Sequence, residues 1–292
     1  MGIYLIPISS SNYTAEKYEL NINKQTITIQ YYDLRGLING IQSLLQLIPI
    51  GQFNSANISP IHIEDQPRFS YRGMHLDVVR HIFPVSYIKK YIDYLAFHKF
   101  NTFHWHLTDD QGWRIEMDAY PKLNTIGSYR NETLIGHFKD RPAQYDGVRY
   151  GGYYTKSEIK DIVQYAAIRA ITVIPEIDIP GHSRAAIAAY PELSTNPDTT
   201  WNVATTWGMY NRQNNVLAPK PATFRFLEKV FDEVIALFPS PYIHVGGDEC
   251  SKIWWKQDPA TQAFMKEKGL KNETALQTYF IEFIANHLKT KG

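Results

Sequence analysis

Cysteine is almost absent from the 292-residue chain: Cys250 stands alone, which excludes an internal disulfide framework and any C-x-x-C metal site and leaves the redox compartment unread. A surplus of charge is missing too. Thirty Lys and Arg face 29 Asp and Glu, a formal net charge of +1, so no long-range field favours nucleic acid or another polyanion. No run approaches the roughly 18 to 20 continuous apolar residues of a membrane span. The opening Met1-Gly2-Ile3-Tyr4-Leu5-Ile6-Pro7 lacks the basic start and long apolar middle of a signal peptide. The segment therefore reads as soluble as given, with neither membrane nor nucleic acid as partner, and its compartment is not legible. What is present is a 44% hydrophobic content, ample for one core or for a main domain with a small companion. Aromatics reach 14%, including 20 Tyr and 6 Trp; rings are surfaces on which sugars stack, although ordinary core and surface packing is the simpler reading of such numbers.

Along the chain, Tyr18 to Ile22 and Gln25 to Ile29 alternate apolar and polar residues around Asn23-Lys24, which predicts a hairpin. Leu37, Ile41, Leu44, Leu45 and Ile48 then recur at helical spacing from Leu34 to Leu47, and Pro49 stops the helix. The stretch Gly51 to Pro67, rich in Asn, Ser and Pro, reads as a linker. From Tyr71 the pattern becomes short apolar strands alternating with amphipathic helices, as in parallel strands joined by helical crossovers. Strands are expected at Tyr71 to Arg80, Asn101 to Thr108, Ile171 to Ile179 and Tyr242 to Gly247. Helices are expected at Val85 to Lys99, Ser157 to Ala170, Thr223 to Phe238 and Glu273 to Leu288. The connections Asp109 to Lys156 and Gly181 to Ala222 are long, which in compact domains marks binding or active-site loops.

In parallel α/β architectures chemistry gathers at the carboxyl ends of strands. There lie Arg80 and His81, Asp109 and Asp110, Asp178 to His182, and Asp248 and Glu249. One shared polar pocket is the expectation. In His244-Val245-Gly246-Gly247-Asp248-Glu249, two glycines clear side chains where the backbone leaves the sheet, and adjacent acids follow. Burial or a neighbouring charge would keep one carboxyl protonated as a general acid while the other stays ionised. His104 and His106, two apart on a strand, share a face and offer a metal-binding alternative, although packing inside a barrel is the simpler reading. Trp254 and Trp255 are expected to pack, and the sequons at Asn12, Asn57, Asn131 and Asn272 carry no information without evidence of secretion.

Leu76-Asp77-Val78-Val79-Arg80-His81, His104 to Trp113 (HWHLTDDQGW), Pro175 to His182 (PEIDIPGH) and His244 to Glu249 (HVGGDE), in that order, resemble the β-N-acetylhexosaminidases of glycoside hydrolase family 20. The resemblance covers nearly the whole chain, since Tyr18 to Leu47 is similar to the small α+β domain preceding the barrel in that family. It implies an α/β fold in which residues 66–292 form the N-terminal half, four βα units, of a TIM-type (β/α)8 barrel, preceded by a partial small α+β domain at 1–65. It further implies hydrolysis of terminal N-acetylhexosamines without a cofactor, by a retaining mechanism assisted by the substrate's own 2-acetamido group. Glu249 would be the general acid and base and Asp248 would hold the acetamido group. Arg80, Asp109 and His182 would bind or orient around the sugar, supported by Asp178, Asp110 and His244. The implied partners are glycans ending in N-acetylglucosamine or N-acetylgalactosamine, and an intact relative is expected to be exported. A complete barrel needs eight strands. The chain is therefore expected to be a fragment at both ends, catalytically poor unless a complementing half or a second copy completes it. Two other readings stay open: a non-catalytic carbohydrate-binding or assembly fragment, and a metal-dependent amidohydrolase-like barrel using His104 and His106.

Overall fold

The computed structural model describes residues 2–9, 14–49, 51 and 57–291. Asn12 and residues 52–56 of the expected linker lie outside these. Internal contacts divide the chain into two compact units, one comprising Met1–Met74, Val85–Phe103 and Ile162–Val173, the other His75–Pro84, His104–Asp161 and Ile174–Gly292.

In the first unit the expected hairpin forms, Tyr18–Ile22 against Thr26–Tyr31, and Asn23 turns the chain by accepting from the Gln25 and Thr26 N–H groups through its side-chain oxygen, both at 2.8 Å. Two flanking strands extend it. Gly2–Pro7 runs parallel to Thr26–Tyr31, and Ile61–Asp65 runs antiparallel to Tyr18–Ile22. This corrects the linker reading: the stretch before Pro67 is Pro- and Asn-rich, yet Ile61 and Ile63 alternate with polar residues and Ile63 packs on the core. It also corrects the expectation that a single hairpin and helix precede that stretch. The helix Leu34–Leu47, capped by Asp33, whose carboxylate accepts from Gly36 N at 2.8 Å, lays Leu37, Ile41, Leu44 and Leu47 on Tyr18, Leu20, Ile22, Ile27 and Ile29. Gly40 permits the close approach, since a Cβ there would stand 2.7 Å from Ile29 Cγ2. Each fully buried Leu or Ile of this layer contributes about 1.5–3 kcal/mol.

The strands Gly73–Asp77, Thr102–Asp109 and Thr172–Ile177 pair in a sheet with Thr102–Asp109 in the middle. Their connections are the helices Val85–Phe97 and Lys156–Ala167. The expected fourth strand is not formed among the described residues. His244 makes one isolated parallel bridge to Glu176, with hydrogen bonds from His244 N to Pro175 O and from Ile179 N to Val245 O, and the chain then leaves through Gly246 at φ +65° and Gly247 at φ +102°. Left-handed glycines end the pairing that the apolar pattern had promised. The helices Pro221–Leu237 and Glu273–Lys289 lie within one or two residues of expectation, while Ile253–Gln257 and Pro259–Glu267 were too short to be read. Trp255 packs as expected, stacked on Phe280 at 5.8 Å with its N–H donating to Leu217 O.

Buried Arg114 organises the long connection after Asp109, donating to the carbonyls of Ser128, Gly152, Val79 and Gln111, and Arg130 donates to Arg80 O. These arginines tie the loop to the strand end that carries Arg80. Among the described residues no helix is long and apolar enough to cross a membrane.

Candidate active site

Every expected site residue falls in the second unit. Asp109 ends its strand and is fully buried, each of its oxygens doubly engaged. Oδ2 accepts from His106 Nε2 at 2.9 Å and Arg80 Nη2 at 2.7 Å; Oδ1 accepts from His182 Nδ1 at 2.9 Å and from the Asp110 N–H at 2.6 Å. Arg80 is also held by Asp77 at 2.8 Å, so its guanidinium is charged and aimed. Asp110 stands behind the imidazole, 3.3 Å from His182 Nδ1, and is fixed by Asn215 Nδ2 and the Arg184 N–H.

Burial works against a charge on His182, but its bonds to Asp109 and Asp110 outweigh it and carry the imidazole up to about 12. His182 is therefore an imidazolium, and its Nε2–H faces the expected acid pair, 3.5 Å from Glu249 Oε2 and 3.9 Å from Asp248 Oδ2. His182 and Glu249 have φ of +47° and +40°, backbone strain of the kind that surrounding structure tolerates at functional positions. The side chains of Asp248 and Glu249 are 68% and 69% exposed. Burial pushes Asp178 up, to about 8, with Asp248 and Asp109 adding to the effect, so Asp178 is a neutral acid near pH 7. Its Oδ1 accepts from Gly247 N at 3.0 Å, and a Cβ on Gly246 would fall 1.8 Å from that same oxygen. No side chain other than glycine's hydrogen fits there.

The sequence reading missed Glu176. Its carboxylate gathers His104 Nε2 at 2.6 Å, His106 Nδ1 at 2.9 Å and His244 Nδ1 at 3.2 Å, with His75 Nε2 at 3.9 Å. Those partners hold Glu176 well below the usual carboxylate range despite its burial. His106, gripped by carboxylates at both ring nitrogens, is carried up to about 10 against the cost of burial. The available signal was three strand histidines without a counter-charge, with Glu176 inside the Pro175-Glu176-Ile177-Asp178 motif. His75, His104, His106, Glu176 and His244 line one wall of an open recess of about 330 Å3, and Arg80, Asp109, Asp178 and Asp248 complete it. Glu249 follows Asp248 in the chain and does not line the recess itself. Such an arrangement supplies a fixed cation for hydroxyl groups and an imidazolium whose N–H faces two reachable acids. His104, Glu176 and His244 lie close enough to share a metal ion, but here the carboxylate already occupies the point on which the imidazoles converge.

Comparison with known proteins identifies the family to which the chain belongs. Residues 69–292 match the model of the glycosyl hydrolase family 20 catalytic domain, and residues 5–66 that of the family's domain 2. A beta-hexosaminidase of Porphyromonas gingivalis is 44% identical over 284 residues, 95% of this chain and 34% of that protein; one of Vibrio furnissii is 43% identical over 94% of this chain and 44% of that protein. Among solved structures, a β-N-acetylhexosaminidase of Bacteroides fragilis superposes with TM-score 0.83 at 37% identity, covering 99% of this chain and 53% of that one. The exo-β-N-acetylglucosaminidase of Vibrio harveyi, solved with N-acetylglucosamine, gives 0.82 at 37%, covering 98% and 44%. The chain thus spans about a third to a half of the length of the proteins it matches. A metal-dependent barrel is not favoured by these matches, and the chain belongs to glycosyl hydrolase family 20.

Proposed function

We propose that this chain carries the proton-transfer and sugar-holding residues of an enzyme that removes terminal N-acetylhexosamines from glycans. The observation that carries the reading is the line Asp109–His182–Glu249, a buried carboxylate 2.9 Å from an imidazolium that in turn stands 3.5 Å from an accessible acid. Glu249 protonates the glycosidic oxygen and then takes a proton from water. Asp248, its neighbour, cannot stand across the anomeric carbon as a nucleophile would, and instead accepts from the N–H of the substrate's 2-acetamido group, whose carbonyl oxygen attacks. Substrate assistance is the family's known departure from the two-carboxylate scheme and is taken over from it. Arg80, fixed by Asp77 and Asp109, binds hydroxyls of the terminal sugar; Asp178, Asp110 and His244 support the wall. The Vibrio harveyi relative, solved with N-acetylglucosamine, favours that sugar as a ligand.

Residues 1–65 are read as a small α+β domain and 66–292 as four βα units of a barrel that closes with eight strands, the fourth strand being reduced to the single bridge at His244 among the described residues. Phe238, Tyr242, Ile243 and Leu288 line a trough of about 640 Å3, where a complementing half-barrel or a second copy would pack. The test of the reaction is hydrolysis of an aryl N-acetyl-β-glucosaminide beside the aryl β-glucoside that lacks the acetamido group. Turnover of the first at least about 10²-fold above the second is expected, because only the first brings its own nucleophile. Equal rates would remove the substrate-assisted assignment.

A further inference from the structure

His106 and Glu176 are buried and have no part in the chemistry above, yet contacts join both to the line Asp109–His182–Glu249. Glu176 Oε2 lies 2.9 Å from His106 Nδ1, and His106 Nε2 lies 2.9 Å from Asp109 Oδ2. Asp109 Oδ1 is 2.9 Å from His182 Nδ1, whose Nε2 is 3.5 Å from Glu249 Oε2. Carboxylates and imidazoles thus alternate through five residues. Paired strands supply the inner end: Glu176 comes from Thr172–Ile177, while His106 and Asp109 come from Thr102–Asp109, whose last residue turns its carboxylate back to the imidazole three positions earlier. An imidazole with an acceptor at each nitrogen satisfies both only when both carry hydrogen, so His106, like His182, is a cation by its geometry. Glu176 is itself held, with His104 Nε2 at 2.6 Å and His244 Nδ1 at 3.2 Å.

A buried carboxylate stays ionised only beside positive partners, and those of Asp109 are not equivalent. Arg80, with its side chain 37% exposed, is the one that sugar hydroxyls would share, and His182 is turned to Glu249. His106, its side chain 6% exposed, has both nitrogens committed to the line. Its loss would weaken Glu249 as an acid by either of two routes. If Asp109 kept its charge, that charge would fall more heavily on His182 and cancel the field of the imidazolium at Glu249; if Asp109 took up a proton, His182 would lose both its anchor and the reason for its own charge. We propose that His106 is a positioning residue for proton transfer, acting through Asp109 and His182 on Glu249, and that Glu176 holds it in that role. No proton travels along the line: each imidazole keeps both hydrogens, and Glu249 alone exchanges one with the leaving group. The proposal rests on Glu249 being the proton donor.

The test is kcat/KM of His106→Gln and Glu176→Gln, beside Glu249→Gln, on two N-acetylglucosaminides, one with a sugar leaving group and one with a nitrophenol. The sugar needs a proton to depart and is expected to lose about tenfold or more in both His106→Gln and Glu176→Gln, whereas the nitrophenol loses less than about threefold. Equal losses on the two substrates in His106→Gln, as a purely structural role would give, or no loss on either, overturn the proposal; the same outcome in Glu176→Gln alone removes the part assigned to Glu176. If Glu249→Gln itself shows no difference between leaving groups, the proposed proton donor falls and the proposal with it. A difference in Glu249→Gln that His106→Gln does not reproduce removes the proposal alone. Nitrogen-15 NMR of the unaltered chain gives a reading that depends on neither turnover nor the folding of a variant: hydrogen on both ring nitrogens of His106 at pH 8 is expected, and one bare nitrogen overturns the proposal.

Discussion

Each oxygen of the Asp109 carboxylate is engaged twice, and together with Glu176 and Asp110 this carboxylate holds protons on the two histidines bonded to it. His106 and His182, both bonded to it, hold their protons to about 10 and about 12 against an ordinary value of 6.5. Between those values the folded chain binds more protons than the unfolded one, so this part of its stability is complete below 6.5 and is lost as pH rises through the folded values. Asp178, raised from 3.8 to about 8, acts in the same direction over its own window. Urea midpoints are therefore expected to fall from pH 6.5 to pH 9.5; a rising midpoint would count against the assigned charge states. Gly246 gives a sharper residue-level test. Its positive φ and the 1.8 Å at which an added Cβ would stand from Asp178 Oδ1 mean that Gly246→Ala should cost about 3 kcal/mol or more. Equilibrium unfolding measures this, and a loss below about 1 kcal/mol would show that the Asp178 contact is not as tight as described.

At the scale of elements, what was legible depended on periodicity. The hairpin Tyr18–Tyr31 and the helix Leu34–Leu47 could be read because their apolar positions repeat at two and at three to four residues. Ile61–Asp65 was hidden because a short edge strand with two apolar residues, in a Pro- and Asn-rich stretch, resembles a linker. The stretch Tyr242 to Gly247 erred the other way: its apolar residues promised a strand, but Gly246 and Gly247 turn the backbone out after one bridge. The strand-end rule named Arg80, Asp109, Asp178 and His182, which the fold brings close to one another. It missed Glu176, which precedes its strand end and becomes meaningful only when His104, His106 and His244 converge on it in space. The small sheet's core offers a stability test at this scale: Ile29→Ala, at a fully buried site beneath Gly40, should cost about 2–4 kcal/mol. Chemical denaturation reads it, and a near-neutral result would mean that the helix Leu34–Leu47 does not close over that site.

For the molecule as a whole, family membership and the order of four motifs were both readable in one dimension, while the state of the site was not. The proposed chemistry rests on adjacent Asp248 and Glu249, yet both side chains are two-thirds exposed, and of the two only Asp248 lines the open recess. The central claim is that Glu249 delivers the proton to the leaving group, backed by His182. Its most direct measurement is kcat/KM of Glu249→Gln against the unaltered protein for two N-acetylglucosaminides, one with an acidic nitrophenol leaving group and one with a sugar alcohol leaving group. The account predicts a loss of about 10²- to 10⁴-fold for the sugar leaving group and a far smaller loss for the nitrophenol, which departs without a proton. Equal losses for both substrates would contradict it.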